Sequence, residues 1–321
     1  MRRSAALAVV GALLLAGCGL HSGSVIPADV LPGSLGQGRP LAGADLTIAS
    51  KNFTENVILA EMIGLVWTAA GATVTDRTNI SGSIGARQAI VSGTADAMYE
   101  YTGTGWITYL GHTDPITDPQ QQWQAVHDAD LANGVTWLPQ SALNDTYAFA
   151  GNAANVAKHG LHTLSDLAEL SHRDPSAVSL CVDNEFSVRD DGLPGVTAAY
   201  GMTVPRSNIR TMDAGIVYTT VADGSACILG DVYSTDGRIA ALGLSVLADD
   251  RHYFPNYNAA PELHSATLAK YPVLAELLDP VSARLDNTVA QRLNSKVDVD
   301  GEDPRQVARD WLIEQGFITA G

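Results

Sequence analysis

Tyr99-Glu100-Tyr101-Thr102-Gly103-Thr104-Gly105 changes character half-way along. Its first half is β-prone. Its second half, two glycines flanked by threonines, reads as a turn that exposes backbone N–H groups. A helix-like segment from Ile84 to Ser92 and a Gly93-Thr94-Ala95-Asp96 turn precede it. In an α/β chain such a switch lies at the carboxyl end of a strand, where open sheets bind ligands. Taken alone, the seven residues are a buried strand with an ordinary turn; the rest of the chain decides whether they are more.

Working outward, Asp45 to Ala49 reads as a short strand followed by the loop Ser50-Lys51-Asn52-Phe53-Thr54-Glu55. Thr54 can cap a helix to Ala70 whose apolar face is Val57, Ile58, Met62, Leu65, Val66 and Ala69, with Gly71 ending it. Ala72–Thr78 is the next strand, Ser81 or Ser83 caps a second helix, and Ala97–Tyr101 is the third strand. This β-α-β-α-β opening predicts an α/β fold, a mostly parallel sheet with helices on both faces. Helix 119–132 and strand 135–138 follow. A second α/β series begins with extended residues 144–149 and continues through strands near 178–182, 209 and 226–233. After Asp249-Asp250 the pattern turns wholly helical, over 262–279, 284–296 and 304–315. A first lobe, a complete second lobe and a helical return predict two discontinuous lobes: 45–145 plus 251–321, and 146–250.

The amino terminus reads as an export signal. Arg2-Arg3 precede an apolar run from Ala5 to Leu15, far short of the ~20 residues that span a bilayer. Leu15-Ala16-Gly17-Cys18 looks like a bacterial lipobox, so residues 1–17 are expected to be removed and Cys18 lipidated. Residues 18–44, rich in Gly, Pro and Ser, read as a flexible tether. With 19 Lys and Arg against 35 Asp and Glu, the chain of 321 residues lacks the basic footprint of nucleic-acid binding. An acidic body also does not adhere to an anionic membrane, so the lipid would be its only hold. The expected location is extracytoplasmic, anchored to the cell membrane. Cys181 and Cys227 are then the remaining thiols, in a compartment that permits disulfides. A bridge between them is expected; two free buried cysteines are the alternative.

Catalytic signatures are missing: no Gly-x-Ser-x-Gly, His-Glu-x-x-His, Walker loop or Gly-x-Gly-x-x-Gly after a strand. The eight histidines show no ligand spacing, so neither metal nor cofactor is expected. What stands out is tyrosine at strand ends beside turn residues: Tyr101, Tyr147, Tyr233 and Tyr257. At four loop mouths tyrosines can form a cage, and a quaternary ammonium is held by ring quadrupoles at about 0.5–2 kcal/mol per face.

Six motifs stand in order: Ser50–Glu55, Tyr99–Thr104, Asn144-Asp145-Thr146-Tyr147, Phe186-x-x-Arg189-x-Asp191-Gly192-x-Pro194-Gly195, Tyr233-Ser234-Thr235-Asp236-Gly237-Arg238-Ile239 and Phe254-Pro255-x-Tyr257. Together, over roughly Asp45 to Phe317, the chain resembles the glycine betaine/choline/carnitine-binding lipoproteins of osmoprotectant ABC importers, the ProX type. The resemblance implies a type II periplasmic-binding-protein clamshell. It implies that Tyr101, Tyr147, Tyr233 and Tyr257 form the cation cage, with the backbone carbonyl of Asp145 facing the methylated nitrogen. Lys51, Thr104 and Arg189 match positions that hold a betaine carboxylate, with Asn52 a weaker candidate. Pro255-Asn256 and Asn144-Asp145 depart from the usual pattern, which bears on ligand preference.

The expected function is capture of a quaternary-ammonium osmoprotectant, glycine betaine first, by a monomeric receptor without catalysis. The ligand would pass to a membrane permease with a partner ATPase. Choline, carnitine or another ligand without a matched carboxylate is the alternative within binding proteins, and flat aromatic compounds are a weaker one. An extracytoplasmic enzyme on the same scaffold and a structural envelope lipoprotein are the rivals from other classes.

Overall fold

A computed structural model describes residues 23–113 and 116–321, so the expected export signal and Cys18 lie outside the described residues. The strands are β1 (Ser24–Val25), β2 (Val30–Pro32), β3 (Asp45–Lys51), β4 (Thr73–Ile80), β5 (Ala97–Tyr101), β6 (Val135–Trp137) and β7 (Tyr147–Asn152). They continue with β8 (Leu180–Asp183), β9 (Ile209–Met212), β10 (Leu229–Tyr233), β11 (Leu244–Val246), β12 (Ala259–His264) and β13 (Ile318–Ala320). One sheet runs β1-β4-β3-β5-β12-β6 and a second β11-β7-β10-β8-β9; a small β13-β2 ribbon closes the termini. The predicted α/β architecture is present, and each sheet is mixed. β4-β3-β5 and β10-β8-β9 are parallel, while β12 and β7 join them antiparallel. Those two are the strands by which the chain re-enters or enters a sheet, and they arrive from the opposite end.

Helix α1 (Thr54–Ala69) is the keystone of the first lobe. Leu59, Met62, Ile63, Val66 and Trp67 are buried around its circumference, because it lies between the sheet and the helices at 287–298 and 304–314. A helix buried on every face belongs inside a core, not on a surface. Its amino-terminal residue differs from the expectation. Phe53, extended, is the N-cap, and the Thr54 hydroxyl donates to Asp298 Oδ1 at 2.6 Å instead of capping. Gly71, at φ 104°, ends the turn as the sequence indicates. Helix α2 (Ser83–Val91) has Gly82 as its N-cap, not Ser81 or Ser83.

Two expectations about larger segments are also corrected. Residues 24–44 are not a loose tether: β1 pairs with β4, β2 pairs with β13, and Ile26, Val30, Leu41 and Ala44 are buried. Their spaced apolar side chains cover the outer face of the first lobe, which outweighs the Gly/Pro/Ser composition between them. Nor is the return wholly helical. Ala259–His264 is a strand between β5 and β6, and helices resume only at Ser265. Pro261 and Glu262 in mid-run argue locally against a central strand; the burial of both neighbouring strands overrides them.

The Tyr99–Gly105 stretch is also altered. β5 ends at Tyr101 as expected, but Thr102–Thr104 is a buried helical turn continuing into a wider one at Gly105–Tyr109. The expected open turn is the start of a helix. Cys181 and Cys227 are bridged, joining β8 to the segment leading into β10.

Candidate functional site

The two segments that cross between the sheets are laced together. The Asp145 N–H donates to the Tyr257 carbonyl at 3.1 Å, and the Tyr257 N–H donates to Asn144 Oδ1 at 2.8 Å. Beside this double crossing lies a cavity of about 720 Å³. Strand ends supply its aromatic wall. Tyr101 ends β5, Tyr147 opens β7, Tyr233 ends β10, and Tyr257 stands one residue before the Asn258 bridge that precedes β12. All four line the cavity.

The rings form a continuous series. Tyr257 meets Tyr147 edge-on at 5.4 Å, Tyr147 meets Tyr233 at 5.4 Å, Tyr233 stacks on Phe53 at 5.1 Å, and Phe53 meets Tyr101 at 5.9 Å. Phe53 is the member that was not singled out from sequence. Its signal was its place in the Ser50–Glu55 loop, where an aromatic N-cap residue has no helical face to bury. Two hydroxyls are tied down: Tyr101 donates to Glu55 Oε1 at 2.7 Å and Tyr257 to Asp191 Oδ2 at 2.6 Å. Each ring is therefore fixed at both ends.

Gly103 explains the glycine in the opening stretch. A Cβ there would lie 2.6 Å from the Tyr257 ring and 2.8 Å from the Asn256 carbonyl. The substitution Gly103→Ala is expected to push Tyr257 off Asp191 and to lower affinity for a quaternary-ammonium ligand by about tenfold or more, equivalent to ~1.4 kcal/mol. Calorimetric titration checks this, with circular dichroism to verify the fold. Unchanged affinity would show that Tyr257 does not have to stand where it does.

The polar candidates divide. Lys51 lines the cavity, but its Nζ donates to Glu100 Oε1 at 2.6 Å and lies 4.8 Å from the Tyr101 ring and 5.5 Å from Phe53. The protein's own ammonium thus occupies a cation–π position on the aromatic wall. Thr104 lines the cavity and receives a long hydrogen bond, 3.4 Å, from Arg189 Nη2. Asn52 is an exposed lining residue that accepts from the Gly82 N–H at 3.4 Å. Arg189 stands behind the lining. Its Nε and Nη2 reach Asp191 at 2.7 and 2.5 Å, its Nη1 reaches Glu185 at 2.8 Å, and its guanidinium carbon is 5.6 Å from the Tyr147 ring. Of the nine predicted ligand-binding residues, it is the one the cavity wall does not include.

Asp145 lines the cavity, and its carboxyl group is buried beside a second one. Oδ1 lies 2.6 Å from the Thr235 hydroxyl, and the same hydroxyl lies 2.6 Å from Glu55 Oε2. One hydroxyl has one hydrogen, so Thr235 can donate to only one of these two buried carboxyls at a time. Burial pushes both above the usual carboxylate range, and for Asp145 the neighbouring Glu55 adds to it. Glu185 behaves in the opposite way. Burial alone would raise it, but Lys51, Arg189 and the Ser83 hydrogen bonds outweigh that and hold it below the usual range. Acidic side chains outnumber Lys51, Arg238 and Arg305 around the cavity, which favours a cation over an anion.

Two mixed α/β lobes joined by a laced double crossing, with a cavity at their junction, define a two-lobe solute receptor of the type II periplasmic-binding-protein class. The chain belongs to the family described as the substrate binding domain of ABC-type glycine betaine transport systems, which matches residues 44–314. It is 37% identical over 86% of its length, and 89% of the relative, to a "Glycine-betaine-binding protein" of Pseudomonas aeruginosa. It is 30% identical to the "Glycine betaine-binding protein YehZ" of Escherichia coli, covering 86% of this chain and 92% of that one. A solved structure titled as a glycine betaine/carnitine/choline ABC transporter superposes with a TM-score of 0.68 at 29% identity, over 85% of this chain and 99% of the other. This chain is therefore a substrate-binding protein of the osmoprotectant importer family. Among the described residues no helix is long and apolar enough to cross a membrane.

Proposed function

We propose that this protein captures a quaternary-ammonium osmoprotectant, glycine betaine foremost, and delivers it to a membrane permease driven by a partner ATPase. The observation that carries this reading is the ring series Tyr101–Phe53–Tyr233–Tyr147–Tyr257 beside buried carboxyls. A methylated ammonium has no N–H to donate, so aromatic faces and a negative surround are what can select it. The Lys51 ammonium over Tyr101 and Phe53 supports the point, because it already exploits the same attraction. The names of the relatives point to the same ligand class.

In this reading Lys51 and Thr104 face the ligand's carboxylate, and Asn52 flanks them. Arg189, one layer back, holds Asp191 and through it Tyr257. Asp145 contributes its backbone carbonyl, and the other carboxylates around the cavity, Glu185 among them, supply the negative field. The chain performs no chemistry on its ligand. It is exported, held to the membrane by lipidated Cys18, and acts as a monomer whose lobes, 45–145 with 251–321 and the packed residues 24–44, and 146–250, close on the ligand.

Calorimetric titration of the chain beginning after Cys18 tests this. Heat with glycine betaine, choline or carnitine and none with proline is the expected result. Silence with every quaternary amine would refute the reading.

A further inference from the structure

One carboxylate in the cavity wall belongs to the protein and sits where an anionic end of a ligand would find its donors. Glu185 follows β8 in the second lobe, yet it reaches the amino terminus of α2 in the first. Its Oε2 accepts from the Ser83 N–H at 3.0 Å, and its Oε1 accepts from the Ser83 hydroxyl and from Arg189 Nη1 at 2.8 Å. A helix amino terminus and a guanidinium together are an anion position. Glu185 fills it from the opposite lobe. Its side chain is 28% exposed and lines the cavity, so the occupant is at the wall and not sealed in the core. Its backbone is pinned, since Asp183 Oδ1 accepts from the Glu185 N–H at 2.6 Å and the Arg189 N–H donates to the Glu185 carbonyl at 3.1 Å. The carboxylate is aimed, not wandering.

The other candidate carboxylate donors are likewise committed: Lys51 to Glu100 and the Arg189 fork to Asp191. A ligand carboxylate entering here meets donors that are already satisfied and a like charge at the best of them. A ligand whose far end is a neutral hydroxyl meets no such repulsion, and Glu185 can accept from it.

Resting on the quaternary-ammonium reading above, we propose that Glu185 is a specificity-determining residue. Its carboxylate already fills the Ser83 position at the cavity wall, held from behind by Arg189, and repels a ligand's own carboxylate there, so that it lowers affinity for zwitterionic ligands relative to cationic ones. The same contacts also join the lobes, so a purely structural latch is the outcome to be separated. A latch lost would weaken every ligand alike, whereas a charge lost would move the two ligand classes apart.

The test titrates glycine betaine and choline into wild type, Glu185→Gln and Glu185→Asp. Glutamine keeps the shape and removes the charge. The expected result is a shift of about tenfold or more in the betaine-to-choline affinity ratio, toward betaine, in Glu185→Gln. Glu185→Asp, still charged, should keep the ratio within about threefold of wild type. An unchanged ratio in Glu185→Gln, with both ligands moving together, would overturn the role in specificity and leave the ligand class standing. Absence of binding by both ligands to wild type and variants alike would remove the ligand class and this inference with it.

Discussion

Tyr147→Ala is expected to lower affinity for a trimethylammonium ligand about a hundredfold, close to ~2.7 kcal/mol, while Tyr147→Phe stays within about threefold. The size follows from position. Tyr147 is the junction of the ring series: it touches Tyr233 and Tyr257 at 5.4 Å each and Phe186 at 4.8 Å, and the Arg189 guanidinium lies over it. Removing the ring deletes one cation–π face and also frees the flanking tyrosines to turn into the gap. A lone face accounts for about 0.5–2 kcal/mol, and the loosened neighbours supply the rest. Titration of both variants checks this, after urea unfolding confirms that each is folded at the titration temperature. If phenylalanine loses as much as alanine, the hydroxyl and not the ring face is the recognition element, and the cage account fails.

The tyrosines were readable because the signals that place them are local. Each stands where a β-prone run meets turn residues, and an alternating run fixes which end of the strand it occupies. Lys51 and Arg189 were readable as charged residues near the site but not as to what they hold. Glu100 is 49 positions from Lys51, and Glu185 meets Ser83 across 102 residues of chain. The first pairing exists only once β3 and β5 lie side by side in one sheet, and the second only once the two lobes approach each other. Ala259–His264 failed for a related reason. Its Pro261 and Glu262 look wrong for a central strand until Arg87 of α2 reaches Glu262 at 3.3 Å and β5 and β6 pair on either side. Phe53 lies between. Its motif was visible, but the ring's use depends on Tyr233 arriving from the other lobe at 5.1 Å.

That same Glu262 sets the second large effect: the protein should lose stability as pH rises from about 5 to 8.5, and Glu262→Gln should remove much of the loss. Burial pushes the Glu262 carboxyl up to about 8; Arg87 opposes the shift, and Glu100 and Asp130 add to it. The folded chain therefore keeps a proton that the unfolded chain, with an ordinary value of 4.5, releases. A group raised on folding contributes fully below the unfolded value and loses that contribution as pH climbs through the folded one. Between the two the slope is at most ~1.4 kcal/mol per pH unit. At pH 5 glutamine and the protonated acid are equivalent in charge, so the two proteins should unfold at similar urea concentrations. At pH 8.5 the variant should be more stable by roughly 3 kcal/mol. Arg87 does not lose its main partner in the exchange, because Asp130 receives both of its terminal nitrogens. Arg87 also lies over the Tyr109 ring, and the Tyr109 hydroxyl donates to Glu100, the carboxylate that holds Lys51 of the cavity lining. Identical pH profiles for wild type and Glu262→Gln would mean that this carboxyl is already ionised at neutral pH, with Arg87 compensating its burial in full.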